Sequence, residues 1–296
     1  MEILGHRGRP GADTPENTLA AVEAALAEGA DGVEVDVRLT ADGVAVCFHD
    51  PGLQRMAGVA RGVRSLTLAE LAAVRVGGHP VPTVAEVLAC MAGRGRLVLD
   101  LKPEQRPRRL LAAVGLALGS AGLPLPEVVL SSFDGDVLAT AARSAPALER
   151  AVILTGAEPS SRVLAQAVAR GDDALHVPAR TVFGAPDLVA AAHRHGLVVR
   201  VWTVNRPVDA RLLRLLGVDA LITDVPGELR STLSERRSSG VHLEGAVGPS
   251  GLLIVSDEVS GELTQTYRGE PIEHEAWSPA SGAGSGRHDG TVRLRE

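Results

Sequence analysis

Glu34 and Asp36 stand two residues apart, with Val33, Val35 and Val37 around them. Side chains of a strand alternate with a period of two, so this spacing sends both carboxylates to one side and the valines to the other. Asp100 and Lys102 repeat the spacing further along. Carboxylates that face an interior together repel each other and lose hydration, and such an arrangement persists when a cation neutralises it. With no Cys or His pair at ligand spacing, Glu34, Asp36 and Asp100 make a hard oxygen site suited to Mg²⁺ or Ca²⁺ rather than Zn²⁺. The plainer reading is a solvated edge strand, or structural ion pairs of Glu34 and Asp36 with Arg38 and Arg7. His6 and His49 each follow a short apolar run, at strand ends beside these acids, and the convergence favours the metal.

Other polar groups weigh less. His193 and His195 lie two apart on a predicted helix and point in different directions, so they are no ligand pair. His176, near the end of a later strand, reads as a structural residue. Lys102 is the single lysine among 30 basic residues, which fits a crowded anionic site where the larger arginine fork is excluded. Of six aromatic residues, Phe48, Phe133, Phe183 and Trp202 fall at predicted strand ends or in the loops after them. They could give a pocket flat apolar walls, and Trp202 is the best candidate for a substrate contact.

The elements that must position these groups alternate regularly. Strand-like runs cover Glu2 to Leu4, Gly32 to Val37, Leu97 to Leu101, Val128 to Leu130, Ala151 to Leu154, Ala174 to Val177, Val198 to Trp202 and Ala220 to Ile222. Amphipathic helical stretches separate them, among them Thr18 to Glu28, Arg108 to Ala121 and Val208 to Leu216. Strands buried on both faces and separated by helices imply a parallel sheet, and eight units close most naturally into a (β/α)₈ TIM barrel. No Gly-x-Gly-x-x-Gly turn follows the first strand, which speaks against a dinucleotide-binding sheet. In such a barrel the reactive groups lie at the C-terminal ends of the strands, where His6, His49, Asp100 and Lys102 fall.

A small insertion after the second strand, from Thr40 to about Arg94, holds a short strand at Val44 to Phe48 and helices near Thr67 to Val74 and Thr83 to Met91. The barrel is expected over residues 1–233 and an appendage over 234–296. The appendage comprises a linker, strands at Leu252 to Val255 and Glu262 to Tyr267 forming a hairpin, and a Gly/Ser-rich stretch from Ser278 to Gly290. Pro15 to Thr18 reads as a helix start with Thr14 as its cap. Asp224 reads as a cap for the final helix.

The chain has 296 residues, 45% hydrophobic and 22% charged, which excludes a disordered or fibrous protein. A net charge of −6 argues against a nucleic-acid partner. Two cysteines, Cys47 and Cys90, build no disulfide framework, and no cleavable leader precedes the first strand, so a reduced, cytoplasmic protein is expected. The apolar runs are too short for a membrane span. The oligomeric state is left open.

Taken in order, His6-Arg7-Gly8, Pro15-Glu16-Asn17-Thr18, Glu34-Val35-Asp36-Val37, His49-Asp50, Asp100-Leu101-Lys102, Ser131-Ser132-Phe133, Trp202-Thr203-Val204-Asn205 and Gly217-Val218-Asp219 with Thr223-Asp224 resemble the glycerophosphodiester phosphodiesterase family. The resemblance covers about residues 1–232 and implies a metal-dependent barrel that cleaves small glycerophosphodiesters to sn-glycerol 3-phosphate and an alcohol. It further implies His6 and His49 as the general acid and base, Glu34, Asp36 and Asp100 as holders of the divalent metal, and Arg7 and Lys102 as binders of the phosphoryl oxygens. Family members usually carry Glu where this chain has Asp100, one methylene shorter. The alternatives are a lysophospholipase D-type enzyme, which needs an apolar groove for an acyl chain, and a non-catalytic barrel that binds a phosphodiester or a protein partner.

Overall fold

The computed structural model describes residues 1–91, 93–103, 106–121 and 128–234, together with the backbone of four short strands between residues 243 and 292. Along the chain β1 (Glu2–His6), α1 (Leu19–Ala27) and β2 (Gly32–Leu39) come first. An excursion follows through β3 (Ala45–Cys47), α2 (Gln54–Ala57), a short 3₁₀ turn (Val63–Ser65), α3 (Leu68–Leu71) and the two-residue strands β4 (Arg75–Val76) and β5 (His79–Pro80). The alternation then resumes with α4 (Val84–Met91), β6 (Arg96–Leu101), α5 (Pro107–Ala121), β7 (Val128–Ser132), α6 (Gly135–Ser144), β8 (Glu149–Ile153) and α7 (Ser160–Arg170). It ends with β9 (Ala174–Pro178), α8 (Ala179–Gly184), α9 (Asp187–Arg194), β10 (Val198–Trp202), α10 (Pro207–Leu215), β11 (Ala220–Thr223) and α11 (Pro226–Ser234).

The sheet runs β1-β11-β10-β9-β8-β7-β6-β2, and pairing of β1 with β2 closes it into an eight-stranded parallel barrel. This is the (β/α)₈ architecture that the alternation implied. β3 adds to β2 antiparallel, with Val37 opposite Cys47, and lies outside the ring. The expected helix near Thr67 to Val74 is shorter in the structure: a capping box of Thr67 and Glu70 starts it, and only Leu68–Leu71 is helical.

The valines of β2 show why the strands are so apolar. Val33, Val35 and Val37 are fully buried against the surrounding helices, in a cluster with Val22, Val84, Leu88 and Leu110. Burying each contributes about 1.5–3 kcal/mol. Inside the barrel a layer of Leu4, Val98, Val129, Ala151, Ala174, Ala220 and Ile222 fills the middle. Small and branched side chains are required there, since the strands converge on a narrow space.

Below this layer the barrel is ionic. Arg200, 2% exposed, reaches down to Glu149 Oε1 at 2.6 Å. Glu149 Oε2 accepts from Arg96 at 3.2 Å, and Arg96 pairs with Glu2 at 3.0 Å. An arginine inside the barrel is tolerated because its charge is matched on the first residues of neighbouring strands.

The four strands beyond the barrel are β12 (Leu243–Val247), β13 (Leu252–Asp257), β14 (Leu263–Arg268) and β15 (Thr291–Val292), in the order β14-β13-β12-β15. β13 and β14 pair antiparallel, with Leu253 opposite Tyr267, over the two segments read as a hairpin. The linker from Glu235 and the Gly/Ser-rich stretch lie outside the described residues.

Gly32 sits where the barrel closes, opposite Leu4 on β1 and Arg96 on β6. A Cβ there would come within 2.1 Å of the Arg96 carbonyl oxygen, so close backbone approach requires glycine. Gly32→Ala is expected to lower the unfolding free energy by about 1–3 kcal/mol. A denaturant midpoint unchanged from wild type would show that the strands can separate at no cost.

Candidate active site

Glu34, Asp36 and Asp100 are 6%, 1% and 5% exposed, and one oxygen of each lies within 4.8 Å of the other two. β2 and β6 pair with Asp36 opposite Asp100, and β1 and β2 with His6 opposite Glu34, so the acids and the first histidine share one end of the barrel. Lys102 Nζ bridges Asp36 Oδ1 and Asp100 Oδ2 at 2.5 Å each. Arg7 Nε lies 3.2 Å from Asp36 Oδ2. Asn17 clasps the same residue, donating from Nδ2 to Asp36 Oδ2 at 2.7 Å and accepting from the Asp36 amide at 2.9 Å.

The cations are shared unequally, and the carboxyl groups respond. Burial pushes Asp36 upward, but Lys102 and Arg7 overcome it and hold it below the usual carboxylate range. Glu34 is pushed up to about 7 by burial and by the Asp36 charge. Asp100 rises to about 6, chiefly through burial, despite Lys102. Among the described residues Asp100 Oδ1 is buried without a hydrogen-bond partner. Three hard oxygen donors, an excess of negative charge and an unused buried oxygen fit a divalent cation such as Mg²⁺ or Ca²⁺.

The two histidines are each held by a carboxylate. His6 Nδ1 is 2.8 Å from Asp224 Oδ1, and Asp224 is fixed in turn by Asn205, which donates to its Oδ2 at 2.6 Å and accepts from its amide at 2.9 Å. His49 Nδ1 is 2.6 Å from Asp50 Oδ1, and Arg55 donates to Asp50 Oδ2 at 2.6 Å. Arg55 also holds Glu16, which reaches Arg7 at 3.0 Å. A carboxylate at each Nδ1 leaves Nε2 as the working nitrogen.

The surroundings drive the two rings apart. For His6, burial disfavours the charged form, but the Asp224 hydrogen bond and the Glu34 charge outweigh it and raise its affinity for a proton. For His49, burial dominates, with Arg7 and Lys102 adding to it, and the ring sits below the ordinary imidazole value despite Asp36 and Asp50. Two imidazoles shifted in opposite senses are the arrangement that acid and base chemistry requires.

Local backbone geometry brings these groups in. Arg7 adopts a left-handed conformation, φ 57°, and so does Asn17, φ 61°. Both are pinned, since the Arg7 amide donates to Glu34 Oε2 at 3.0 Å and the Asn17 amide to the Arg7 carbonyl at 2.9 Å. Strain at such positions persists only where the surroundings fix it. The helix-start reading is corrected here. Thr18, not Thr14, caps α1, and the Thr14 hydroxyl donates instead to the Arg9 carbonyl. Residues 15–17 therefore form a loop that delivers Glu16 and Asn17 to the site.

His6, Arg7, Glu34, Asp36, His49, Asp100, Lys102 and Trp202, the residues given catalytic, metal or substrate roles from the sequence, line one cavity. Ser131, Phe133, Ile153, His176 and Ile222 complete it. Trp202 donates from its indole N–H to the His176 carbonyl at 3.2 Å, and meets Phe133 edge to face at 5.8 Å between ring centres. The four-aromatic reading is corrected for the other two rings. Phe48 is buried among Val46, Leu53 and Leu71, and Phe183 lies in α8 packed against Val182 and Leu188, because both turn toward helix-facing core. His193 pairs with Asp219 at 2.9 Å, away from this cavity.

Asn205 and Asp224 stand in the motifs of the resemblance, but their sequence context assigns them no role at this site. Asp224 was read as a helix cap, yet its carboxylate is spent on His6 and Asn205. Barrel closure was the available signal: β1 and β11 are neighbours, so the ends of the first and last strands meet.

Known proteins share the fold. The profile of the glycerophosphoryl diester phosphodiesterase family matches residues 6–228. The chain is 32% identical to "Probable glycerophosphodiester phosphodiesterase 1" of Mycobacterium tuberculosis over 262 residues, covering 80% of this chain and 94% of that one. Among solved structures, a glycerophosphodiester phosphodiesterase from Thermotoga maritima superposes with a TM-score of 0.66 at 29% identity, over 79% of this chain and 98% of that one. A phosphodiesterase from Oleispira antarctica, in complex with the product sn-glycerol-3-phosphate, superposes with a TM-score of 0.73 at 26% identity, over 79% and 97% of the two chains. A match spanning most of the barrel, from His6 on the first strand to beyond Asp224 after the last, places this chain in the glycerophosphoryl diester phosphodiesterase family.

Proposed function

We propose that the barrel, residues 1–233, hydrolyses small glycerophosphodiesters to sn-glycerol 3-phosphate and an alcohol, with His49 as general base and His6 as general acid. The observation that carries this reading is the placement of two carboxylate-held imidazoles in one cavity with a buried carboxylate cluster. Glu34, Asp36 and Asp100 would hold a divalent cation, which supplies charge neutralisation and polarises a phosphoryl oxygen. Arg7 and Lys102 bind the remaining phosphoryl oxygens. Neutral His49 takes the proton of the attacking hydroxyl at Nε2, and His6 returns one from Nε2 to the departing alkoxide. Asp224 and Asp50 hold the rings in the tautomers this transfer needs.

Small soluble diesters suit the cavity, whose apolar wall among the described residues is Phe133, Ile153, Trp202 and Ile222. The product bound to the Oleispira antarctica relative supports the same substrate class. Among the described residues no helix is long and apolar enough to cross a membrane. Free cysteines Cys47 and Cys90 support a reducing, cytoplasmic setting.

The pH dependence follows from the directions. A base held below the ordinary imidazole value loses function as falling pH protonates it, and an acid held above that value loses function as rising pH strips it. kcat/KM is expected to be bell-shaped, with His49→Ala removing the acid limb, His6→Ala the alkaline limb, and each variant losing about 10²–10⁴-fold with its circular dichroism intact. Limbs that survive both substitutions would place the acid and base elsewhere.

Chelation should abolish turnover reversibly, with Mg²⁺ or Ca²⁺ restoring it. Because Glu34 is pushed up to about 7, the cation must displace a proton below that pH, and titration calorimetry should show weaker binding at lower pH. Affinity that is flat across this range would remove Glu34 from the ligand set.

Lys102→Arg should keep the fold but lose about a hundredfold in kcat/KM, since a planar fork cannot sit as a point charge between Asp36 and Asp100. Wild-type turnover in that variant would refute the crowding argument.

A further inference from the structure

Opposite the carboxylates stands a group that the proton transfers above do not use. From β2 the ring runs β6, β7, β8, β9, so β9 is four strands away in a barrel of eight and faces β2 across the interior. β9 carries His176, which lines the cavity and is 2% exposed. Its Nε2 lies 3.5 Å from Arg200 Nη1, and Arg200 is anchored by Glu149 at 2.6 Å. Arginine has only donors, so His176 Nε2 must accept, and the proton of a neutral ring then resides on Nδ1. Burial and the Arg200 charge keep that ring neutral, well below the ordinary imidazole value. Among the described residues His176 Nδ1 has no hydrogen-bond partner.

We infer that His176 is a specificity-determining residue whose Nδ1–H donates to the terminal hydroxyl of the glycerol moiety, with Arg200 as the positioning residue that fixes the donating tautomer. The inference rests on the hydrolase reading above. The anionic phosphoryl group is drawn to Arg7, Lys102 and the cation site, on β1, β2 and β6. On the far wall a neutral donor stands among Ile153, Ile222 and Trp202, surroundings that accept an uncharged hydroxyl and penalise an anion. In a glycerol 3-phosphoryl group the terminal hydroxyl is the oxygen farthest from phosphorus. The variable alcohol then points to the mouth, where Phe133 is 37% exposed.

Two polar variants separate this role from a structural one. His176→Asn keeps an amide donor at the place of Nδ1 and gives up the partner of Arg200. His176→Gln keeps an acceptor for Arg200 at the place of Nε2 and gives up the donor to the cavity. Each is compared with wild type on a glycerophosphodiester and on its analogue with the terminal CH₂OH replaced by CH₃. A site built to hydrogen-bond a hydroxyl rejects a ligand that lacks it. Wild type and His176→Asn should prefer the glycerol diester at least about tenfold in kcat/KM, while His176→Gln should drop to the level of the analogue and show no preference. If His176 serves only to hold Arg200, the order reverses: His176→Gln behaves as wild type and His176→Asn loses both substrates alike, which overturns the inference. Wild type that hydrolyses the glycerol diester yet treats the analogue equally also overturns it. Failure of wild type to hydrolyse the glycerol diester with cation present strikes the hydrolase reading itself, and the inference with it.

Discussion

Three carboxylates held within one small volume, almost out of reach of water, set the terms for the rest of the molecule. Isolated charges of this kind cost several kcal/mol each to bury, so neighbouring groups must offset them. Lys102 comes from the end of β6 and Arg7 from the end of β1, and Asn17 adds one neutral donor from the following loop. What these do not neutralise appears as proton affinity at Glu34 and Asp100. The left-handed backbone at Arg7 and Asn17 is best understood as a consequence, since only that path brings both residues to Asp36 while the Arg7 amide bonds Glu34.

The barrel has a second ionic layer with a different role. Glu2, Arg96, Glu149 and Arg200 tie together the first residues of β1, β6 and β8 and the middle of β10. An apolar layer of alanine, valine, leucine and isoleucine separates this network from the acids of the cavity. Arg200 stands opposite His176 in the register of β9 and β10 and reaches down to Glu149, so the structural layer and the cavity wall are in contact at one point. Stability and recognition therefore share a side chain, and replacements of Arg200 must be read for both.

Much of this was legible before any coordinates. The Val-Glu-Val-Asp-Val alternation on β2 separates the helix-facing side from the barrel interior, and every site residue singled out from the sequence lines the cavity. What the sequence withheld depends on distance along the chain. Asp224 meets His6 across 218 residues, and only closure of the sheet makes them neighbours. Asn205 is a further step removed, acting on Asp224 rather than on the ring. Phe48 and Phe183 were misplaced because a strand-end position does not say which way a ring turns, and packing with Leu53 or Leu188 decides it. Arg200 looks in sequence like any exposed arginine, since its partner Glu149 lies on another strand.

The pairing of His6 with Asp224 joins the beginning of the barrel to its end. During synthesis the first strand leaves the ribosome long before the last, so the imidazole of His6 waits, without its carboxylate, until the chain has grown 218 residues further. His49 finds Asp50 next door at once. The two histidine–carboxylate pairs are thus assembled asymmetrically, one complete early and the other only when the ring shuts.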